Sequence, residues 1–304
     1  MQEYADGVML EKASEKGDKN APFLLGNMYV DRIKDYDKAF YWYKVGYNRG
    51  NKDCAYAIGD VYYWKLNDPE SARKWFNIGY KMGSAESAYG LGIINRDAKD
   101  YPKAIEWYEI SYKMGLVEAA YALGLLYGYI LKDYPKAIEW YTIAYNKKHS
   151  EAAYALGLLY KNTLKDYPKA IEWYEKAHNK QHGGAANSLG ILYEDIKDYP
   201  KAIEWYQIAH KMGNQYAPLN LGLLYKDALQ DYEKAIKWFQ ISYDINKHYG
   251  SLYWIAVIHR DGLGVKKDLV KARSLFQEIA NNGVGEAKKL SKQALLALDS
   301  AKSQ

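Results

Sequence analysis

The chain has 304 residues, 49% hydrophobic and 15% aromatic, with 42 basic against 37 acidic side chains and a formal charge of +5. That is apolar material for two ordinary domains or one elongated array, and the interleaved charges exclude the basic block of a nucleic-acid binder. The single cysteine, Cys54, excludes a disulfide framework or a multi-thiolate metal site, and no stretch reaches the roughly 18 apolar residues of a membrane span.

No leader pattern is read at the start. The expected compartment is the cytoplasm if Met1 is the natural start, and the periplasm or exterior if a leader has been removed. Residues 1–17 align with the second half of the unit that follows, and are expected to form an N-terminal half-repeat cap helix.

Residues 18–284 read as eight copies of one unit. The string KDYPKAIEWY recurs from Lys99, Lys132, Lys165 and Lys197, and AYALGLLY recurs from Ala120 and Ala153. A marker glycine falls at Gly26, Gly59, Gly92, Gly124, Gly157, Gly190 and Gly222, with Ala256 in the eighth slot. A second small residue recurs at Ala39, Ala72, Ala104, Ala137, Ala170, Ala202, Ala235 and Ala272. Three positions later stand Trp42, Trp75, Trp107, Trp140, Trp173, Trp205 and Trp238, then Leu275.

Each unit predicts two helices. Ala120, Leu123, Gly124 and Tyr127 share one face of the first, and Ala137, Trp140, Tyr141 and Ala144 one face of the second, with Trp140 expected in the core. Asp133 can cap the second helix, where Pro135 fits the first turn. Gly50, Gly83, Gly115, Gly213 and Gly283 are expected to end second helices in the left-handed C′ conformation. One pair cannot cover its own apolar face, but stacked pairs share a continuous core. The expected fold is all-α, a right-handed α–α superhelix of antiparallel pairs. Residues 285–304 predict a C-terminal capping helix with Ala287, Leu290, Ala294, Leu295 and Leu298 on one side and Lys288, Lys289 and Lys292 on the other; a membrane-surface helix is the alternative.

These residues carry a family resemblance. The small/Leu-Gly/Tyr helix followed by Asp-Tyr-x-x-Ala-x-x-Trp resembles tetratricopeptide repeats, and the terminal glycine resembles their Sel-one-like branch more closely. The eighth unit is the best match, with the loop from His259 to Asp268 followed by Ala272, Phe276, Ala280 and Gly283. Secreted members of that branch often carry a cysteine pair in each repeat. This chain has none, so their disulfides do not carry over.

Signals for catalysis are weak. Ser71-Ala-Arg-Lys74 matches the Ser-x-x-Lys of β-lactam-reactive enzymes, but Ala72 and Trp75 are repeat-core positions and no companion motif is present. His178 and His182 have the spacing of a helical metal pair, yet Gln181 stands at the helix-ending position and no third ligand is identifiable. Cys54 fills a small packed slot held elsewhere by Ala21, Ser87, Ala119, Ala152, Ala185 and Ala217. No cofactor is expected.

Binding has more support. Phe23, Tyr56, Tyr89, Tyr121, Tyr154, Asn187, Leu219 and Tyr253 recur three residues before the marker position. The resemblance implies that this slot faces a concave groove; the alternative is that the rings fill space between first helices. Asp53, Glu86, Glu118 and Glu151 stand six residues before the glycine. They read as helix-dipole and cap support, or as an acidic lining suited to a basic peptide. One turn later the slot varies: Val30, Tyr63, Arg96, Gly128, Lys161, Glu194, Lys226 and Arg260. The candidate partner-binding residues are therefore Tyr56, Tyr89, Tyr121, Tyr154, Tyr63, Arg96, Lys161, Glu118 and Glu151.

The expected function is a non-enzymatic adaptor that binds a protein in its groove. A first alternative, resting on the roles of Sel-one-like repeats and a Lys/Asn/Ile/Tyr-rich composition that suits a low-GC bacterial genome, is an immunity protein against a secreted bacterial effector or toxin. A second, weaker one is a β-lactam-binding or cell-wall-active enzyme.

Overall fold

A computed structural model describes residues 2–300, which contain eighteen α-helices and no strand. The chain divides into two compact units, Met1–Ala152 and Ala153–Gln304. In the first, α1 (Gln2–Glu15) precedes the pairs α2/α3 (Ala21–Met28, Tyr36–Asn48), α4/α5 (Lys52–Trp64, Pro69–Lys81), α6/α7 (Ala85–Asp97, Tyr101–Lys113) and α8/α9 (Val117–Leu125, Tyr134–Asn146). From the boundary on come α10/α11 (Ala152–Leu158, Tyr167–Asn179), α12/α13 (Ala185–Asp195, Tyr199–Lys211), α14/α15 (Ala217–Asp227, Tyr232–Asn246), α16/α17 (Tyr249–Asp261, Leu269–Asn282) and α18 (Gly285–Ser300). The chain thus holds eight helix pairs, and its fold class is the all-α superhelix of antiparallel pairs.

Local chemistry sets the helix boundaries. Asp35, Asp68, Asp100, Asp133, Asp166, Asp198, Asp231 and Asp268 each accept a hydrogen bond from the amide three residues on, the N-cap geometry. Gly50, Gly83, Gly115 and Gly213 are left-handed, as a C′ residue requires. Gly283 departs from that expectation. Its φ is −71°, and the left-handed residue is Gly285, two positions later. Lys148, Gln181 and Lys247 take the left-handed place in the other units. Three first helices finish in a π-helical turn, at Tyr29–Ile33, Leu126–Leu131 and Leu159–Leu164. In those units, as in those of α4 and α14, the marker glycine stands one residue further from the Asp cap than in the units of α6 and α12. The extra residue is taken up by a π-helical turn in the first three and by a plain turn after α4 and α14.

The core is a pairing of glycine with an aromatic ring. A Cβ added at Gly26, Gly92, Gly124, Gly157 or Gly190 would lie 2.1–2.5 Å from the ring of Tyr43, Tyr108, Tyr141, Tyr174 or Tyr206, and Gly59 and Gly222 face Phe76 and Phe239 in the same way. These rings are almost wholly buried. Trp140 is not at that centre. It is half-buried and meets Tyr112 of α7 edge-on at 5.5 Å. Trp75 and Trp107 repeat the contact with Tyr47 and Tyr80, and Trp205 and Trp238 meet His178 and His210. Within each compact unit these neighbouring second helices are thus joined by edge-to-face aromatic contacts, and the residue after each tryptophan fills the core.

Candidate binding surface

The expected aromatic row lies on first helices, and each of its rings is half-buried. In the first unit Tyr56 (α4) lies 5.8 Å from Phe76, Tyr89 (α6) 5.4 Å from Tyr108 and Tyr121 (α8) 5.6 Å from Tyr141. In the second unit Tyr154 (α10) lies 5.6 Å from Tyr174. Each ring packs one side on its own repeat's buried aromatic and keeps part of its surface open. Burial raises the hydroxyl pKa of Tyr56, Tyr89 and Tyr121, with Asp60 adding to the effect at Tyr56.

Two histidines complete this surface. His149 stacks on Tyr121 at 4.4 Å and 18°, and His182 stacks on Tyr154 at 4.1 Å and 19°. His182 lies beyond α11, away from the helical face that carries His178. The stacking escaped sequence reasoning, although a signal was present. Wherever the turn glycine is replaced, by Lys148, Gln181 or Lys247, the next residue is histidine: His149, His182 and His248. Glu118 and Glu151 are exposed, and both act electrostatically on His149, where burial lowers the pKa and they oppose it. Glu118, Tyr121, His149 and Glu151 therefore form one cluster. Tyr154, His182 and Ser188, whose hydroxyl is 3.1 Å from that of Tyr154, form another.

The variable slot is bound up internally. Tyr63 donates to Asp97, which also pairs with Arg96 at 2.7 Å. Burial, reinforced by the bond to Asp97, pushes the Tyr63 hydroxyl up to about 12. Lys161 pairs with Asp195 at 2.9 Å, and Glu194 accepts from Tyr206 at 2.7 Å. Ser71 sits in the first turn of α5, where its amide donates to Asp68. Cys54 is buried, and that burial pushes its thiol up to about 12, the opposite of an activated thiol. Among the described residues no group of three or more His, Cys, Asp or Glu side chains is placed to hold a metal ion.

The Sel1 repeat profile matches residues 23–51, 117–149, 150–182, 184–214, 217–246 and 250–284, more than half of the chain. The chain belongs to the Sel1 repeat family. A tetratricopeptide repeat profile matches residues 56–115, the two units between the first and second Sel1 matches. A Sel1 repeat protein from Oxalobacter formigenes is similar in structure, with a TM-score of 0.61 and 22% identity, over 94% of this chain and 90% of that one. PilF of Pseudomonas aeruginosa matches with a TM-score of 0.50 and 19% identity, over 67% of this chain and 95% of that one. The immunity protein Pa5087 of Pseudomonas aeruginosa matches at 0.45 and 19%, over 66% and 83%, a likeness too loose to carry argument. At these identities the likeness concerns the fold alone. No protein of curated function matches the chain.

Proposed function

We propose that this Sel1 repeat protein is a non-enzymatic interaction scaffold that holds a protein partner against its first helices. What supports this most is the half-buried aromatic row. Tyr56, Tyr89, Tyr121 and Tyr154 are each fixed from behind by a buried ring, yet keep open surface. Aromatic side chains anchored in this way supply contact area at little cost in side-chain entropy, the character of interface hot spots. Tyr63, Arg96 and Lys161 flank the row, and the exposed acids Glu118 and Glu151 favour a partner with basic side chains at that level. The repetition favours binding over catalysis as well, because an active site needs unlike residues converging once.

A photo-crosslinking amino acid installed at Tyr121 tests the reading against one at Glu106, an exposed position on α7. With lysate from the source cells, the Tyr121 probe is expected to yield a discrete protein adduct and the Glu106 probe none. Equal labelling from both positions, or none from Tyr121, overturns the proposal.

A further inference from the structure

Between the first helices of the first two repeats lies a cavity of about 300 Å³, at the small end of volumes that hold a ligand group. Its apolar wall includes Phe23 and Tyr56, and its polar groups include Asp31, Asp60 and Asn27. We propose that this cavity receives a single cationic side chain, lysine or arginine, of the partner. The inference rests on the scaffold reading and deepens it by naming one subsite and its chemistry.

The lining is unbalanced in charge and arranged for a long amphipathic group. Two carboxylates, Asp31 and Asp60, stand against one ammonium, that of Lys65. Lys65 is exposed and forms no ion pair with either carboxylate. The exposed Asp31 carboxylate makes no hydrogen bond or ion pair among the described residues. Asp60 is half-buried; the Tyr56 hydroxyl reaches it at 3.5 Å, the outer limit of a hydrogen bond, and the Trp64 indole one turn on is its other neutral donor. Burial raises the Asp60 carboxyl pKa and Asp31 pushes it the same way, while the Tyr56 hydroxyl, Lys65 and the Trp64 side chain oppose the shift without cancelling it. A half-buried carboxylate whose hydrogen-bond donors are both neutral gains from an arriving cation. Asn27 is oriented by the Tyr43 hydroxyl, which donates to its Oδ1 at 2.7 Å, and that oxygen keeps a second lone pair for a donor from the ligand. The rings and Val61 suit the methylene stem of lysine or arginine, whose head would lie on the carboxylates. An anionic side chain would meet like charge here, and a neutral one would lack the charge-assisted bond.

The test pans a random twelve-residue peptide library on the whole chain, then measures the recovered peptides by fluorescence anisotropy. Lysine or arginine is expected at one fixed position of the selected sequences. The Asp31→Asn, Asp60→Asn double variant should bind such a peptide at least tenfold more weakly, whereas Glu106→Gln on α7 should change little. Replacing the selected arginine by citrulline, or lysine by norleucine, should give a similar loss on the native chain and little further loss on the double variant, the signature of a direct pair. Circular dichroism checks that the variant keeps its helix content, as expected when a partly buried carboxylate becomes an amide of the same shape. If the fold is lost, Asp31→Asn alone, at the exposed carboxylate, is the variant to read. Binders with no basic residue, or a double variant no weaker than Glu106→Gln, overturn this inference and leave the scaffold reading in place. A library that yields no binder removes both.

Discussion

Replacing the buried tyrosine of the second helix by phenylalanine separates two kinds of repeat. Tyr141 and Tyr206 occupy the same slot, each about 1% exposed. The Tyr206 hydroxyl donates to Glu194 at 2.7 Å, whereas that of Tyr141 has no partner among the described residues. Burying a hydroxyl without a hydrogen bond costs about 1–3 kcal/mol. Tyr141→Phe is therefore expected to stabilise by about 1 kcal/mol, the low end, since the vacated space near Gly128 subtracts some packing. Tyr206→Phe removes a bond to a charged acceptor, worth roughly 1.5–3 kcal/mol. Glu194 is only half-buried and can recover water, so a loss of about 1 kcal/mol is expected. The two variants should differ by about 2 kcal/mol and in sign. Phe76, Phe239 and Phe276 already occupy this slot in other repeats and are buried there, so the ring without its hydroxyl fits. Urea unfolding gives the global values. Amide exchange on α9 and α13 gives the local ones, because a repeat array need not unfold in one step. Destabilisation of 1 kcal/mol or more by Tyr141→Phe would refute the reasoning and imply a buried water on that hydroxyl.

Gly124→Ala would bring a Cβ to 2.4 Å from the immobile Tyr141 ring. It should cost about 1–3 kcal/mol in urea unfolding even though alanine is the better helix former by about 1 kcal/mol. Tyr121→Ala and Tyr154→Ala should each destabilise by about 2 kcal/mol, roughly half the cost of a fully buried aromatic such as Tyr141. If the row binds, each should also weaken the partner by about 2 kcal/mol in titration calorimetry, and unchanged affinity for both ends the groove reading. Burial lowers the pKa of His149, His248 and His259, so the unfolded chain binds protons more readily than the folded one. Stability is then complete above the unfolded value near 6.5 and falls as the pH drops through it towards the lower folded values. Urea unfolding across pH 5–8 should show that slope, and a profile no flatter in His149→Asn counts against a contribution from that residue.

The fold was legible because a repeated sequence states its periodicity many times over. The Asp caps, the left-handed glycines at Gly50, Gly83, Gly115 and Gly213, and the small residues facing between helices each follow from local chemistry. Trp140 was misread because the tryptophan and the residue after it both lie near the apolar face. Only the close approach at Gly124 decides that Tyr141, not Trp140, goes inside. Gly283 was misread because helix α17 runs on to Asn282 and leaves the left-handed turn to Gly285. The tyrosine row was visible as a pattern, but its histidine partners were not, because stacking of His149 on Tyr121 joins residues 28 positions apart, one in α8 and the other in the loop after α9.

Near-identical repeats place whatever distinguishes one level of the surface from the next in the few positions that differ. Variation at a fixed slot suggests partner specificity, but neighbouring repeats make their own demands on it. Tyr63 of the second repeat is held by Asp97 of the third, and Lys161 of the fifth by Asp195 of the sixth. Lys161 is only 17% exposed in its side chain, so much of its surface is already spent on that neighbour. These pairs make the stacking order matter. Exchanging the third repeat for one without Asp97 would strand the Tyr63 hydroxyl of the second. The tyrosines differ in degree, since each packs one side on a buried ring of its own repeat and makes no ion pair with the next. A surface that recognises a partner while its repeats stay in register needs both kinds of position. At Tyr63 and Lys161 the variable slot ties a repeat to the one that follows, and under the proposed scaffold reading the aromatic row, with Glu118 and Glu151 beside it, is what meets the partner.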